Sequence, residues 1–179
     1  MSANSSPVVR TIGVAIAIPE PHGSELQDWR EHFGDPLARS IPTHVTLLPP
    51  TPITEEDLPG VESHLRSIAA GFSPFGILLR GTGTFRPASP VVFVTLAEGI
   101  SDCELLEQQV RSGPLGHREL EFVYHPHVTV AHHISDEALS HAFEKLAQYE
   151  ARFTVWGFSL FEHGADGVWR PFLDFAFGS

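Results

Sequence analysis

The sequence predicts a bilobal α+β fold, two related lobes of antiparallel sheet with helices on the outer faces. Three observations carry this. Strand-like and helix-like segments alternate in a five-element order that occurs twice. The identical triplets His44-Val45-Thr46 and His127-Val128-Thr129 each fall in the middle element of a unit, 83 positions apart (127 − 44). With 179 residues, 42% hydrophobic and 18% charged, the chain can bury a substantial core.

Each element has a local reason. Residues 1–8 are small and polar and predict a disordered N-terminus, with one bilobal domain over residues 9–179. Val8 to Ile18 is β-branched and partly alternating, a strand that Pro19 and Pro21 end. Ser24 and Gln27 suit a helix start, with the helix running to about Leu37. Val45 to Leu48 reads as a short strand stopped by Pro49-Pro50. Thr54 with Asp57 begins a helix to about Ala70. Phe75–Thr84 and Val91–Leu96 are adjacent strands, and a helix follows from Ser101 to about Val110. After the Gly113–Gly116 loop come a strand at Val128–Ala131 and a helix from Ser135 to about Tyr149. Phe153–Phe161 and Trp169–Phe177 make a terminal hairpin around Gly164-Ala165-Asp166-Gly167. A pseudo-twofold axis between the units would bring the two triplets face to face across a groove.

Composition narrows the function. The net charge is −11, with ten arginines and the single lysine Lys145. A broad nucleic-acid groove needs clustered cations, so a grip on one nucleotide or a strand end fits better than an extended groove. The apolar run Ile12–Ile18 is far too short to span a bilayer, and no basic leader precedes it. A soluble cytoplasmic protein, monomeric, is the default expectation. One cysteine, Cys103, excludes an intramolecular disulfide framework and a cysteine-rich metal site.

Chemistry concentrates in the triplets. Side chains at i and i+2 of a strand share a face, so His44 projects with Thr46 and His127 with Thr129. Two imidazoles and two hydroxyls around one small volume suit a phosphate. The hydroxyls donate to non-bridging oxygens. One neutral imidazole accepts a proton from water, and a protonated one delivers a proton to the leaving oxygen; an ordinary pKa near 6.5 keeps both forms accessible. With eleven histidines and ten threonines, chance supplies about half of one such triplet. A matched pair at equivalent places in a repeat is a much stronger signal than one copy.

The segments Pro42-Thr43-His44-Val45-Thr46-Leu47-Leu48 and Pro126-His127-Val128-Thr129-Val130-Ala131 resemble the two signature motifs of the 2H phosphoesterases. More narrowly they are similar to the LigT-like group, also named 2′-5′ RNA ligases or RNA 2′,3′-cyclic phosphodiesterases. The resemblance runs over about residues 9–177 and includes Gly81-Thr82-Gly83-Thr84-Phe85, similar to a Gly-x-Gly-x-Phe segment of that group. It implies the bilobal 2H fold, no metal and no cofactor. It also implies catalysis by His44 and His127, with Thr46 and Thr129 on the phosphate. The substrate so implied is a 2′,3′-cyclic phosphate or 2′-5′ phosphodiester on RNA ends or small nucleotides. Two departures stand out: Arg86 precedes Pro87 after the glycine segment, where the group commonly has Phe-Pro, and His132-His133 stands where an arginine often follows the second motif.

Other readings accompany this one. Arg86, Tyr124 and His125 are candidate substrate contacts, and Arg86 and Arg170 are each equally suited to be surface charges. His125, His127, His132 and His133 form a cluster in which imidazoles could ligate zinc or copper, but no Asp, Glu or Cys lies within it. Gly81–Arg86 lacks the third glycine and the Lys-Ser/Thr of a phosphate-binding loop and reads first as a strand end. Trp156, Phe158 and Trp169 read as core rather than as stacking platforms. Cys103 has no base beside it, and Lys145 lacks the surroundings of an adenylated lysine. The alternative function is a nucleotide- or RNA-end-binding module with little turnover.

Overall fold

The computed structural model describes residues 6–117, 119–120 and 122–178. The disordered N-terminus expected for residues 1–8 lies outside the described residues at positions 1–5; residues 6–8 are extended and exposed, and the Val8 carbonyl accepts the Glu55 N–H at 3.0 Å. In chain order the elements are β1 (Val9–Ala17), α1 (His22–His32), β2 (His44–Thr54), α2 (Leu58–Ala70), β3 (Phe75–Thr84), β4 (Val91–Glu98), α3 (Ile100–Val110), β5 (His127–His132), α4 (Asp136–Lys145), β6 (Glu150–Val155), β7 (Gly157–His163) and β8 (Trp169–Ala176).

Two four-stranded sheets result, in orders β2-β1-β7-β8 and β5-β4-β3-β6, and every described pairing is antiparallel. The fold is the bilobal α+β arrangement expected. The two motif strands, β2 and β5, are edges of their own sheets and lie against one another. The helices reach across: α1 packs on β5 and α3 on β2. The repeat is not closed within each half. β3, the last strand of the first unit, pairs with β4, and β7 fills the matching place beside β1. The second sheet is therefore one continuous stretch, 75–155, whose ends Phe75 and Val155 are register partners.

Burial follows the strand alternation. Val45, Leu47, Val128 and Val130 are buried in the core, while His44, Thr46, His127 and Thr129 between them stay partly exposed. Among the described residues no helix is long and apolar enough to cross a membrane.

Several boundaries differ from the sequence reading. Helix α1 starts two residues before Ser24, because the Glu20 carboxylate accepts from the Ser24 N–H (3.3 Å) and hydroxyl (2.7 Å) and caps the helix from outside. It ends at His32 rather than Leu37, since Gly34 takes a φ of 90° that stops the helix. Strand β2 does not stop at the prolines. Gly13 stands opposite both Pro49 and Pro50, between the pairs Ile12↔Thr51 and Val14↔Leu48, so the two prolines form a bulge on an edge strand where missing N–H groups are tolerated. Helix α4 is capped by Ser135, whose Oγ accepts the Ala138 N–H at 3.1 Å, but it ends at Lys145 so that Glu150 can pair with Arg80.

The segment Phe153–Phe161 is two strands in different sheets. The chain changes sheet at Trp156-Gly157, where a Cβ on Gly157 would lie 2.2 Å from the Phe175 carbonyl oxygen, so only glycine lets the backbones approach. The expected hairpin survives as β7–β8. Trp156 is not core: it is 69% exposed.

Candidate active site

Both motif histidines are held by the same device. The Nδ1–H of His44 donates to the Pro42 carbonyl at 2.7 Å, and that of His127 donates to the His125 carbonyl at 2.6 Å. A carbonyl only accepts, so the proton of each neutral ring sits on Nδ1 and Nε2 keeps its lone pair. Two residues on, Thr46 and Thr129 share the face of their histidine.

The motifs are also tied to each other. Tyr124, just before the second motif, donates its hydroxyl to the Thr46 carbonyl at 2.7 Å. Burial pushes the Tyr124 phenol well above its ordinary value, so it stays a neutral donor. His44 is pushed down to about 4, chiefly by burial; the hydrogen bond to the Pro42 carbonyl opposes this, and the positive charges of Arg30 and His127 add to it. Burial likewise lowers His127, with a smaller contribution from His125. A charge on His127 thus makes His44 harder to charge, so the two imidazoles are within electrostatic reach.

The surroundings of the two histidines differ. Phe85 meets the His127 ring edge-on at 5.0 Å, and Phe93 lies 5.0 Å away at 54°. The two phenylalanines pack at 4.5 Å, and His125 closes the group at 5.7 Å from Phe85 and 5.3 Å from Phe93. Gly83 makes this possible, because a Cβ there would sit 2.6 Å from the Phe93 ring. In the first lobe the position that pairs with the motif threonine is Ala15 (Ala15↔Thr46), where the second has Phe93 (Phe93↔Thr129). The space so released is a cavity of about 210 Å³ lined by Gly13, Ala15, His44, Thr46, Phe161 and Trp169 among others. A larger open cavity of about 620 Å³ between α1 and α4 contains none of the four motif residues.

The remaining candidates fall as follows. The Arg86 guanidinium is occupied: Nη1 donates to Asp136 Oδ1 (3.0 Å) and Ser140 Oγ (3.0 Å), and Nε to Thr84 Oγ1 (3.2 Å), fastening it to the start of α4. Arg170 is paired with Asp166 in the β7–β8 turn. His125 belongs to the aromatic group around His127. His132 and His133 stack on each other at 3.6 Å at the far end of β5. Among the described residues, no three His, Cys, Asp or Glu side chains are grouped to hold a metal.

Sequence reasoning missed Phe85, Phe93 and Trp169 as neighbours of the motif histidines. It also missed the buried pair Arg30–Asp35 (2.7 Å), whose carboxylate accepts the His132 N–H at 2.9 Å as well. A signal existed only for Phe85, in the glycine segment that precedes it.

The sequence profile of the 2′-5′ RNA ligase superfamily matches residues 18–167. The chain belongs to that superfamily. It is a LigT-like 2H phosphoesterase. A Halalkalibacterium halodurans protein carrying a phosphoesterase name is 30% identical over 168 residues, covering 93% of this chain and 96% of that protein. A similarly named Bacillus licheniformis protein is 29% identical over 161 residues, covering 87% and 94%. E. coli LigT, solved with NADP+, superposes with a TM-score of 0.67 at 19% identity over 96% of this chain and all of LigT. The LigT complex with 3′-AMP gives 0.65 at 18%, with the same coverage. TT0787 of Thermus thermophilus gives 0.67 at 22%, covering 94% of this chain and 98% of its own. Those likenesses fix the fold.

Proposed function

We propose that this phosphoesterase hydrolyses a 2′,3′-cyclic phosphate, or a 2′-5′ phosphodiester, on RNA ends or small nucleotides, without a metal. The observation that carries this is the matched pair of Nδ1–H···O=C clamps, which leaves the lone pair of each Nε2 available, with a threonine two residues on facing the same side of the strand. The LigT complexes with NADP+ and 3′-AMP support a nucleotide as the class of substrate.

The cavity lies on the His44 side, so the alcohol-bearing half of the ester fits there and its leaving oxygen faces His44. His127 then faces the water. Nε2 of His127 takes a proton as the water oxygen bonds to phosphorus. The bond from phosphorus to the ribose oxygen breaks, and that oxygen takes the proton from Nε2 of His44. The product is a phosphate monoester, and solvent returns the proton from His127 to His44. Thr46 and Thr129 donate to the non-bridging oxygens, where charge grows.

The test is turnover of 2′,3′-cyclic mononucleotides, 2′-5′ dinucleotides and cyclic-ended RNA in the presence of excess chelator. Hydrolysis of one class at undiminished rate is the expected result. Activity lost on chelation and restored by zinc or manganese would overturn the metal-free mechanism. Tight binding of product nucleotides with no turnover of any class would make the protein a binding module.

A further inference from the structure

The difference between the lobes carries one step more, which rests on the function proposed above. We infer that the cavity beside His44 receives the nucleobase of the substrate, and that it selects by stacking area rather than by base identity, with Trp169 as the specificity-determining residue.

The cavity is continuous with the reacting groups, since His44 and Thr46 are part of its wall. Its other walls are apolar or small: Gly13, Ala15, Leu48, Pro49, Phe161 and Trp169. A base edge presents two or three donors and acceptors, and reading it takes side chains with matching groups. Here the side-chain polar groups are those of His44 and Thr46, which the phosphate occupies, and the single indole N–H of Trp169. One donor does not distinguish adenine from guanine or cytosine from uracil. Every base has a π-face, however, and an indole wall accepts any of them.

Trp169 is held as a wall should be. Its backbone N–H donates to the Ser40 carbonyl at 2.7 Å, tying β8 to the loop that leads into His44. His163 packs at 4.8 Å from the indole. Gly13 lets the indole lie close against the backbone: a Cβ there would lie 3.4 Å from Trp169 Cζ3 and 3.3 Å from the Leu48 carbonyl oxygen. The bulge of Pro49 and Pro50 opposite Gly13 sets the strand back at the same level. The volume, about 210 Å³, is below the ~300–1,000 Å³ of a site for a drug-sized ligand. It admits one heterocycle and not a stack of several. At the matching level of the second lobe Phe93 packs on Phe85 and His127.

The experiment compares kcat/KM for the four 2′,3′-cyclic mononucleotides, and the binding of the four 3′-mononucleotides by tryptophan fluorescence quenching and, in the variants that lack Trp169, by titration calorimetry. The variants are Trp169→Leu, Trp169→Phe and Trp156→Leu. In the wild type, adenine and guanine should agree within about threefold, as should cytosine and uracil, with purines ahead of pyrimidines. Trp169→Leu should weaken purine binding by about 5- to 150-fold, the range of one base–aromatic stack, and bring the purine-to-pyrimidine ratio toward one. Trp169→Phe should fall between, and it covers the case in which the leucine variant does not fold. Trp156→Leu, an exposed tryptophan outside the cavity, should leave both the ratio and the quenching in place. A wild-type preference of more than about tenfold for one purine over the other would overturn the inference, as would a purine-to-pyrimidine ratio unchanged in both Trp169 variants. Quenching in the expected order with no hydrolysis of any cyclic nucleotide would sink the hydrolytic function and leave the base site standing. Hydrolysis with an unaltered ratio would do the reverse, and absence of both binding and hydrolysis would overturn both.

Discussion

At one place in the first sheet Ala15 stands beside Thr46; at the matching place in the second, Phe93 stands beside Thr129. The histidine clamps on either side of this exchange agree to within 0.1 Å, at 2.7 and 2.6 Å. Repetition has therefore preserved the proton-handling geometry and let the neighbourhood diverge. One imidazole lines a cavity and the other is packed among aromatic rings. The clamp, the threonine two residues on and the strand edge are thus common to both lobes, whereas the side chain at the Ala15/Phe93 level differs between them.

The likeness of the two lobes is tested most severely at the histidines. His44→Ala and His127→Ala should each remove about two to four decades of kcat/KM, as for loss of one general acid or base. Both variants should fold, since both side chains reach the groove. Near-normal turnover in either would end the paired mechanism. Next come the hydroxyls. Thr46→Val and Thr129→Val should each cost about 10²–10³ in kcat, comparable with one lost donor to a developing oxyanion. Because neither hydroxyl titrates, the pH limbs should stay in place, and a displaced limb would show that the threonine acts by setting a histidine pKa.

A stability measurement then separates the aromatic groups. Phe93 is 4% exposed, so Phe93→Ala should cost about 3–5 kcal/mol by chemical denaturation. Trp169 is only partly buried, and Trp169→Leu should cost distinctly less. Equal losses would mean that the wall of the open cavity is as structural as the packed group opposite.

The smallest effect is the placing of the pH profile. Both imidazoles lose their protons below the ordinary 6.5, His44 at about 4. The competent form has His44 protonated and His127 neutral, the less populated of the two singly protonated forms because His44 is the more strongly lowered, so kcat/KM should be bell-shaped, peak on the acid side of 6.5 and fall about tenfold per pH unit on its alkaline limb. Phosphate in the complex favours the protonated forms, which moves the alkaline limb of kcat to higher pH. A kcat/KM optimum above about pH 7 in the free enzyme would contradict the burial of His44.

What the sequence made legible was local. The alternation His-Val-Thr-Leu fixes which side chains share a face, and the start of α4 near Ser135 and the β7–β8 hairpin follow from neighbours a few residues away. The features that escaped depend on partners far along the chain. Pro49-Pro50 ends a strand only if the opposite residue cannot yield, and Gly13 can. Arg86 has the chemistry of a phosphate ligand, but Asp136 and Ser140, some fifty residues on, hold it. Trp169 and His44 lie 125 positions apart (169 − 44), and nothing local in either segment announces that they line one cavity.

The chain path has a consequence of a different kind. The His127 sheet uses only the unbroken stretch 75–155, while the His44 sheet is built from segments on both sides of it. The stretch leaves and re-enters at Phe75 and Val155, which are partners across a ladder. In genetic terms half of the site is an interior passage whose two ends are already side by side, the circumstance in which exchange between related genes, or rearrangement of the chain termini, disturbs a fold least. The second histidine thus travels with one continuous piece of chain, while the cavity beside His44 belongs to the segments on either side of it.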